Sequence, residues 1–173
     1  MLKSLECPEK TILDSRLLCS IVHFRNLVTL RVRGDCLRGK NCIFRLTDDD
    51  TENLTAALPR LKTLLLGYPC TSKTCKTTIN SLVSISLNCL DLEELETHFD
   101  TQTIAADVRR LLDNHTSREK TKCKRLCVGV LPLDLPSDDV GIVAMGFRVV
   151  FPYLTGFTGY TWASCWRQVE SNL

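Results

Sequence analysis

Signals for chemistry are what this chain has least of. Its 173 residues include only 3 histidines, 2 tryptophans and 3 tyrosines. There is no G-x-x-x-x-G-K-[ST], no G-x-G-x-x-G, no H-E-x-x-H and no G-x-S-x-G. Phosphate-cradling loops, dinucleotide folds, zinc-protease helices and nucleophile elbows therefore have no sequence support. No catalytic residue, enzymatic activity or cofactor is expected. The chain also lacks a long apolar run: Val140 to Phe151 is the longest, has 12 residues and contains Arg148. A bilayer span needs about 20. The opening MLKSLECPEK is mixed and charged, unlike the apolar core of a signal peptide. The net charge is a mild +2, which indicates neither a disordered chain nor a polycation. These absences lead to the expectation of a soluble protein of the cytoplasm or nucleus, with no membrane partner.

Cysteine is the exception to this scarcity, with 10 copies. In a short secreted chain an even count suggests a disulfide framework. Without a signal peptide, thiols acting as small core hydrophobes fit better. The close pairs Cys36/Cys42, Cys70/Cys75 and Cys123/Cys127 contain no C-x-x-C, and no histidine stands near them at ligand spacing. No metal site is assigned. A cysteine-based metal-binding or thiol-dependent module stays as the alternative function.

What the chain does have is a repeat. Leu54 to Gly67 reads LTAALPRLKTLLLG. Leu54, Ala57 and Leu58 give one helical face, and Pro59 stops the helix. Leu61, Leu64 and Leu66 then form L-x-x-L-x-L, the strand signature of leucine-rich repeats. Equivalent starts fall at Leu27, Leu61, Leu92, Cys123 and Leu154, at intervals of 34, 31, 31 and 31 residues. Pro59 and Pro152 each stand two residues before a start. Periods this long leave room for a full helix in each repeat. A unit of this kind cannot bury its apolar face alone, so neighbouring copies must stack.

Taken in order, apolar spacing predicts helices over Ile12 to Phe24, around Leu54, over Ile79 to Leu90, over Ile104 to Leu112 and over Val140 to Phe151. Thr47 and Asp50 form a capping signal, with Asp48 and Asp49 favouring the helix N-terminus. A divalent-metal reading of this acidic trio lacks the spacing and glycine of a calcium loop. Trp162, Trp166 and Val169 recur at helical spacing and suit a C-terminal cap over residues 161–173. One domain over residues 1–173 is expected, with repeats from about 12 to 160.

In such strands alternate residues point away from the core. The exposed face would show Thr29, Arg31 and Arg33, then Thr63 and Leu65, then Glu94, Glu96 and His98, then Arg125, then Thr158 and Tyr160. Its charges run basic, apolar, acidic, basic. A mosaic of this kind suits a protein surface. It suits the uniform phosphate lattice of nucleic acid poorly, so no nucleic-acid partner is expected. The candidate partner-binding residues are Arg31, Arg33, Leu65, Glu94, Glu96, His98 and Arg125.

The segments FRLTDDDTENLTAALPRLKTLLLG, TTINSLVSISLNCLDLEELETHFD and PSDDVGIVAMGFRVVFPYLTGF resemble the leucine-rich-repeat region of F-box proteins, particularly fungal ones. The resemblance covers about residues 10 to 170. It implies an α/β solenoid of about five helix–strand repeats with a short parallel sheet. It also implies a recognition module that recruits a protein substrate to a cullin-type ubiquitin ligase. Met1 to Ile12 is too short for an F-box, so direct binding of the ligase adaptor is not expected.

Overall fold

A computed structural model of the chain describes residues 2–7, 12–32, 44–66, 76–113, 121–129, 137–159 and 169–173. Strands β1 (Ser4–Cys7), β2 (Thr29–Val32), β3 (Thr63–Leu66), β4 (Glu94–His98), β5 (Arg125–Gly129) and β6 (Gly156–Gly159) form one sheet. They lie in chain order, and every neighbouring pair is parallel. Between successive strands run α1 (Ser15–Ile21), α2 (Asp48–Ala57), α3 (Ile79–Asn88), α4 (Ile104–Asp113) and α5 (Ser137–Val150). The five helices fall within or close to the segments that apolar spacing predicts.

The sheet has one strand more than the five expected repeats. Leu2-x-x-Leu5-x-Cys7 is a further copy of the strand motif, and Leu5 pairs in register with Leu30. It starts 25 residues before Leu27 and ends in cysteine, so the 31-residue period does not reveal it.

The strands also begin two residues later than the motif suggests. In four repeats the first motif residue closes a turn instead. Leu27 N–H donates to Phe24, Leu61 to Leu58, Leu92 to Cys89 and Leu154 to Phe151, each to the carbonyl three residues back. The next two N–H groups then share one carbonyl of the preceding repeat. Val28 and Thr29 donate to Lys3, Lys62 and Thr63 to Val28, and Glu93 and Glu94 to Lys62. Lys124 and Arg125 donate to Glu93, and Thr155 and Gly156 to Lys124. The same junction therefore occurs five times, and it sets the register of each ladder.

Register places Leu5, Leu30, Leu64, Leu95, Leu126 and Phe157 in one row. All but Leu5 are buried, in the same cluster as Leu54, Leu82, Ile85, Val108 and Phe147 from the helices. With crossovers of one hand, strands added in chain order put every helix on one face. The other face is left to solvent, which accounts for alternation in place of the continuous apolar runs usual in parallel strands. Trp162 and Trp166 of the expected cap lie outside the described residues. Val169 is fully buried.

Polar groups lock the helix ends together. Asp48, first residue of α2, accepts from the N–H and hydroxyl of Thr78, both at 2.7 Å, and from the Ser81 hydroxyl. The N-cap of α3 is thus tied to the start of α2. Asp50 accepts from the Thr47 N–H at 3.0 Å and the Thr47 hydroxyl at 2.9 Å, and its own N–H donates to Thr47 Oγ1. Capping and bridging thus occupy the carboxylates of Asp48 and Asp50.

Helices α4 and α5 meet at Gly146. A Cβ there would stand 2.5 Å from Cγ1 and 2.9 Å from Cγ2 of Val108. Arg109 adds an ion pair to Asp139.

Two predictions follow from these contacts. Gly146→Ala gains about 1 kcal/mol of helix propensity but must displace Val108, and overpacking costs about 1–3 kcal/mol. It should destabilise the wild type and become stabilising in a Val108→Ala background. Urea titration of the double-mutant cycle reads this sign change, and an unchanged sign would refute the contact. The second prediction concerns Asp50. Burial pushes its carboxyl up, but the bonds from Thr47 and Ser15 outweigh burial and hold it below its usual value. A depressed folded pKa gives stability that is full above the unfolded value of about 3.9 and lost as pH falls through the folded one. Asp50→Asn should therefore cost about 0.5–2 kcal/mol at neutral pH. The gap to wild type should close on acidification, as measured by urea midpoints along a pH series.

Candidate protein-binding face

Two outward rows cross the open side of the sheet. One holds Ser4, Thr29, Thr63, Glu94, Arg125 and Gly156, and the other Glu6, Arg31, Leu65, Glu96, Cys127 and Thr158. Neighbours within a row are about 4.8 Å apart, one strand spacing. Both rows exist because each strand alternates about the buried leucine row.

Five of the seven candidate residues stand on this face: Arg31, Leu65, Glu94, Glu96 and Arg125. Arg31 donates to Glu6 at 3.1 Å, an ion pair between adjacent strands. Arg125 pairs with Glu94 at 3.2 Å across β4 and β5. Leu65 is half-buried between Arg31 and Glu96, its neighbours in the row. A shallow depression of about 190 Å³ lies against Leu65, Glu94, Glu96, Arg125, Cys127 and Thr158. That is room for roughly six waters, or one long side chain.

His98 is a correction. It was expected on the open face, but only 4% of it is exposed. Its ring stands edge-on to Phe44, with centroids 5.4 Å apart, and its carbonyl accepts from the Thr77 hydroxyl at 2.7 Å. Alternation fails at the end of β4 because the segments leading into α2 and α3 fold over it. Arg33 and Tyr160 lie outside the described residues. Glu6 also belongs to the face, as does Cys127, which was expected on a position facing the core or the strand and is half-buried in the outward row. Glu6 follows from recognising Leu2-x-x-Leu5-x-Cys7 as a strand motif, and Cys127 from applying alternation to Leu126 and Val128.

With Glu6 added, the order across the described face runs acidic, basic, apolar, acidic, basic, and ion pairs between neighbouring strands already engage Arg31 and Glu94. Such exposed pairs are worth about 0–1 kcal/mol each, so a partner can exchange them at little cost.

The cysteine alternative meets different geometry. Cys89 and Cys123 are fully buried, and their thiols face carbonyls, those of Thr55 and Leu58 for Cys89 and of Arg125 for Cys123. Burial pushes both up to about 12. Among the described residues no three His, Cys, Asp or Glu side chains gather as a metal site. Cys36, Cys42, Cys70 and Cys75 lie outside them. No described helix is long and apolar enough to cross a membrane.

Comparison with known protein families, curated proteins and solved structures yields no match.

Thiol chemistry tests the burial directly. At pH 8 a pKa of about 12 leaves roughly one thiolate in ten thousand. Iodoacetamide followed by peptide mapping should modify exposed Cys19 and spare Cys89 and Cys123 until the chain is unfolded. Rapid labelling of either in the folded chain would contradict this packing.

Proposed function

We propose that this chain is a leucine-rich-repeat-like solenoid acting as a protein-recognition module, with the open sheet face as its binding surface. The observation that carries the reading is the asymmetry of the sheet. Helices cover one side, while the other presents rows of Arg31, Leu65, Glu94, Glu96 and Arg125 at regular spacing. The fivefold junction at the strand entries supports a repeat array. Such arrays offer extended binding surfaces. By its resemblance, the module is a substrate-recognition region of an F-box subunit of a cullin-type ubiquitin ligase.

Recognition should concentrate in a few residues of the face. Arg31→Glu sets like charges against a partner's carboxylates and also loses the pair with Glu6. Combined with Leu65→Asp, it should weaken a partner captured by the wild-type chain about tenfold or more, with the chain still folded by circular dichroism though melting somewhat lower. Arg16→Glu, on α1, should leave binding intact. A partner indifferent to the first pair but lost with Arg16→Glu would move the surface to the helices. The ligase setting is tested separately, by the half-life of that partner when the chain is depleted. An unchanged half-life removes the ligase and leaves the binding module.

A further inference from the structure

Away from the sheet face, the helix layer opens into a groove where α1 and α2 end. It has a volume of about 740 Å³ and is lined by Val22, His23, Arg25, Ala56, Ala57 and Pro59. Its origin is local. Helix α1 has 7 residues against 10 in α2, and the alanines closing α2 fill little of the space beside it. Phe24, between His23 and Arg25 in sequence, is 41% exposed.

Basic residues outnumber acidic ones around this groove. Residues 15–28 and 53–62 contain Arg16, Arg25, Arg60 and Lys62 and no carboxylate. Glu52 stands one turn further back along α2. Lys62 is matched by Glu93 of the next repeat at 3.0 Å, and Arg60 reaches only the neutral amide of Asn26 at 3.2 Å. Arg25 and His23 make no ion pair among the described residues. Elsewhere Arg31, Arg109, Arg110, Lys122 and Arg125 are paired, whereas Arg45 and Lys124 likewise make no ion pair among the described residues.

Helix capping does not consume these cations. The closing carbonyls of α1 accept backbone N–H groups: Leu18 from Val22 and Ile21 from Phe24. Those of α2 do the same, Leu54 and Thr55 both accepting from Leu58. Neither helix has a basic residue in its last turn. The groove therefore carries positive charge in excess of what the helix ends use.

We infer that this groove docks an acidic amphipathic segment of a partner protein, its apolar side chains over Val22, Ala57 and Pro59 and its carboxylates against Arg25 and Arg60. The surface is separate from the sheet face, so the chain holds two binding surfaces that can be scored independently. An Arg guanidinium forks onto a carboxylate, and apolar floor beside it discriminates a peptide from a bare polyanion.

The test uses the full chain and a fluorescent peptide of about twelve residues, three helical turns, built from Leu and Glu. A matched peptide with Gln in place of Glu is the control. The Leu/Glu peptide should bind saturably in anisotropy, and added salt should weaken it. Arg25→Glu with Arg60→Glu should lower its affinity about tenfold or more. Ala56→Trp, which fills the groove from an exposed position, should do the same, while Leu65→Asp on the sheet face should change nothing. Arg25→Gln alone serves if the double reversal unfolds the chain. The inference is overturned by absence of saturable binding, by equal binding of the Gln peptide, or by folded groove variants that bind like wild type. An oligo-deoxythymidine that binds as tightly and loses to the same reversals would overturn it in favour of a phosphate ligand.

Discussion

The structure depends on a single repeated junction, in which one backbone carbonyl accepts two successive N–H groups of the next repeat. Parallel strands have no tight hairpin to set their pairing, so register must come from elsewhere. Here the turn closed by Leu27, Leu61, Leu92 or Leu154 delivers each strand to its neighbour at a fixed offset. A slip of one residue would turn Leu64 or Leu95 outward and bring Leu65 or Glu96 into the core. Burial of the leucine row and the position of every outward side chain are thus set by the same few bonds. Leu27, Leu61 and Leu92 are fully buried in the turn ahead of the strand rather than in it.

An open parallel face is uncommon because crossover helices normally cover both sides. Its composition reflects that freedom. Threonine, glutamate and arginine hold the outward rows, and the charges meet as pairs between adjacent strands. Pairs of this kind stabilise little but remain available to a partner. The groove beside α1 and α2 follows another logic: among the described residues Arg25 has no ion pair, and Arg60 reaches only the neutral amide of Asn26. One surface mixes both signs, and the other is mainly basic.

Much of the fold is legible in the sequence. The interval of 31 fixes the order and direction of strands, because copies of one unit can bury their apolar rows only by stacking in step. Pro59 and the Thr47/Asp50 pair mark the ends of α2 through backbone chemistry that acts locally. What escapes the sequence depends on neighbours. Strand β1 is hidden by a shorter interval and a cysteine in the last apolar place. His98 follows alternation on paper, yet Phe44 and Thr77, 54 and 21 residues earlier, cover it. The pairing of Arg31 with Glu6 and of Arg125 with Glu94 needs the register between strands, and spacing alone does not supply the side-chain geometry. Gly146 reads as an ordinary helix glycine until Val108 is placed against it.

The two ends of the array are sealed unequally. At one, Val169 is buried, Leu173 packs on the core and Arg148 holds the Leu173 carbonyl. At the other, Leu5 and Cys7 are only half-covered where their counterparts in the neighbouring strand are fully buried. Local opening costs least where apolar side chains are least covered. Among the described residues β1 is the least covered strand of the sheet, and it adjoins the helix pair that frames the groove.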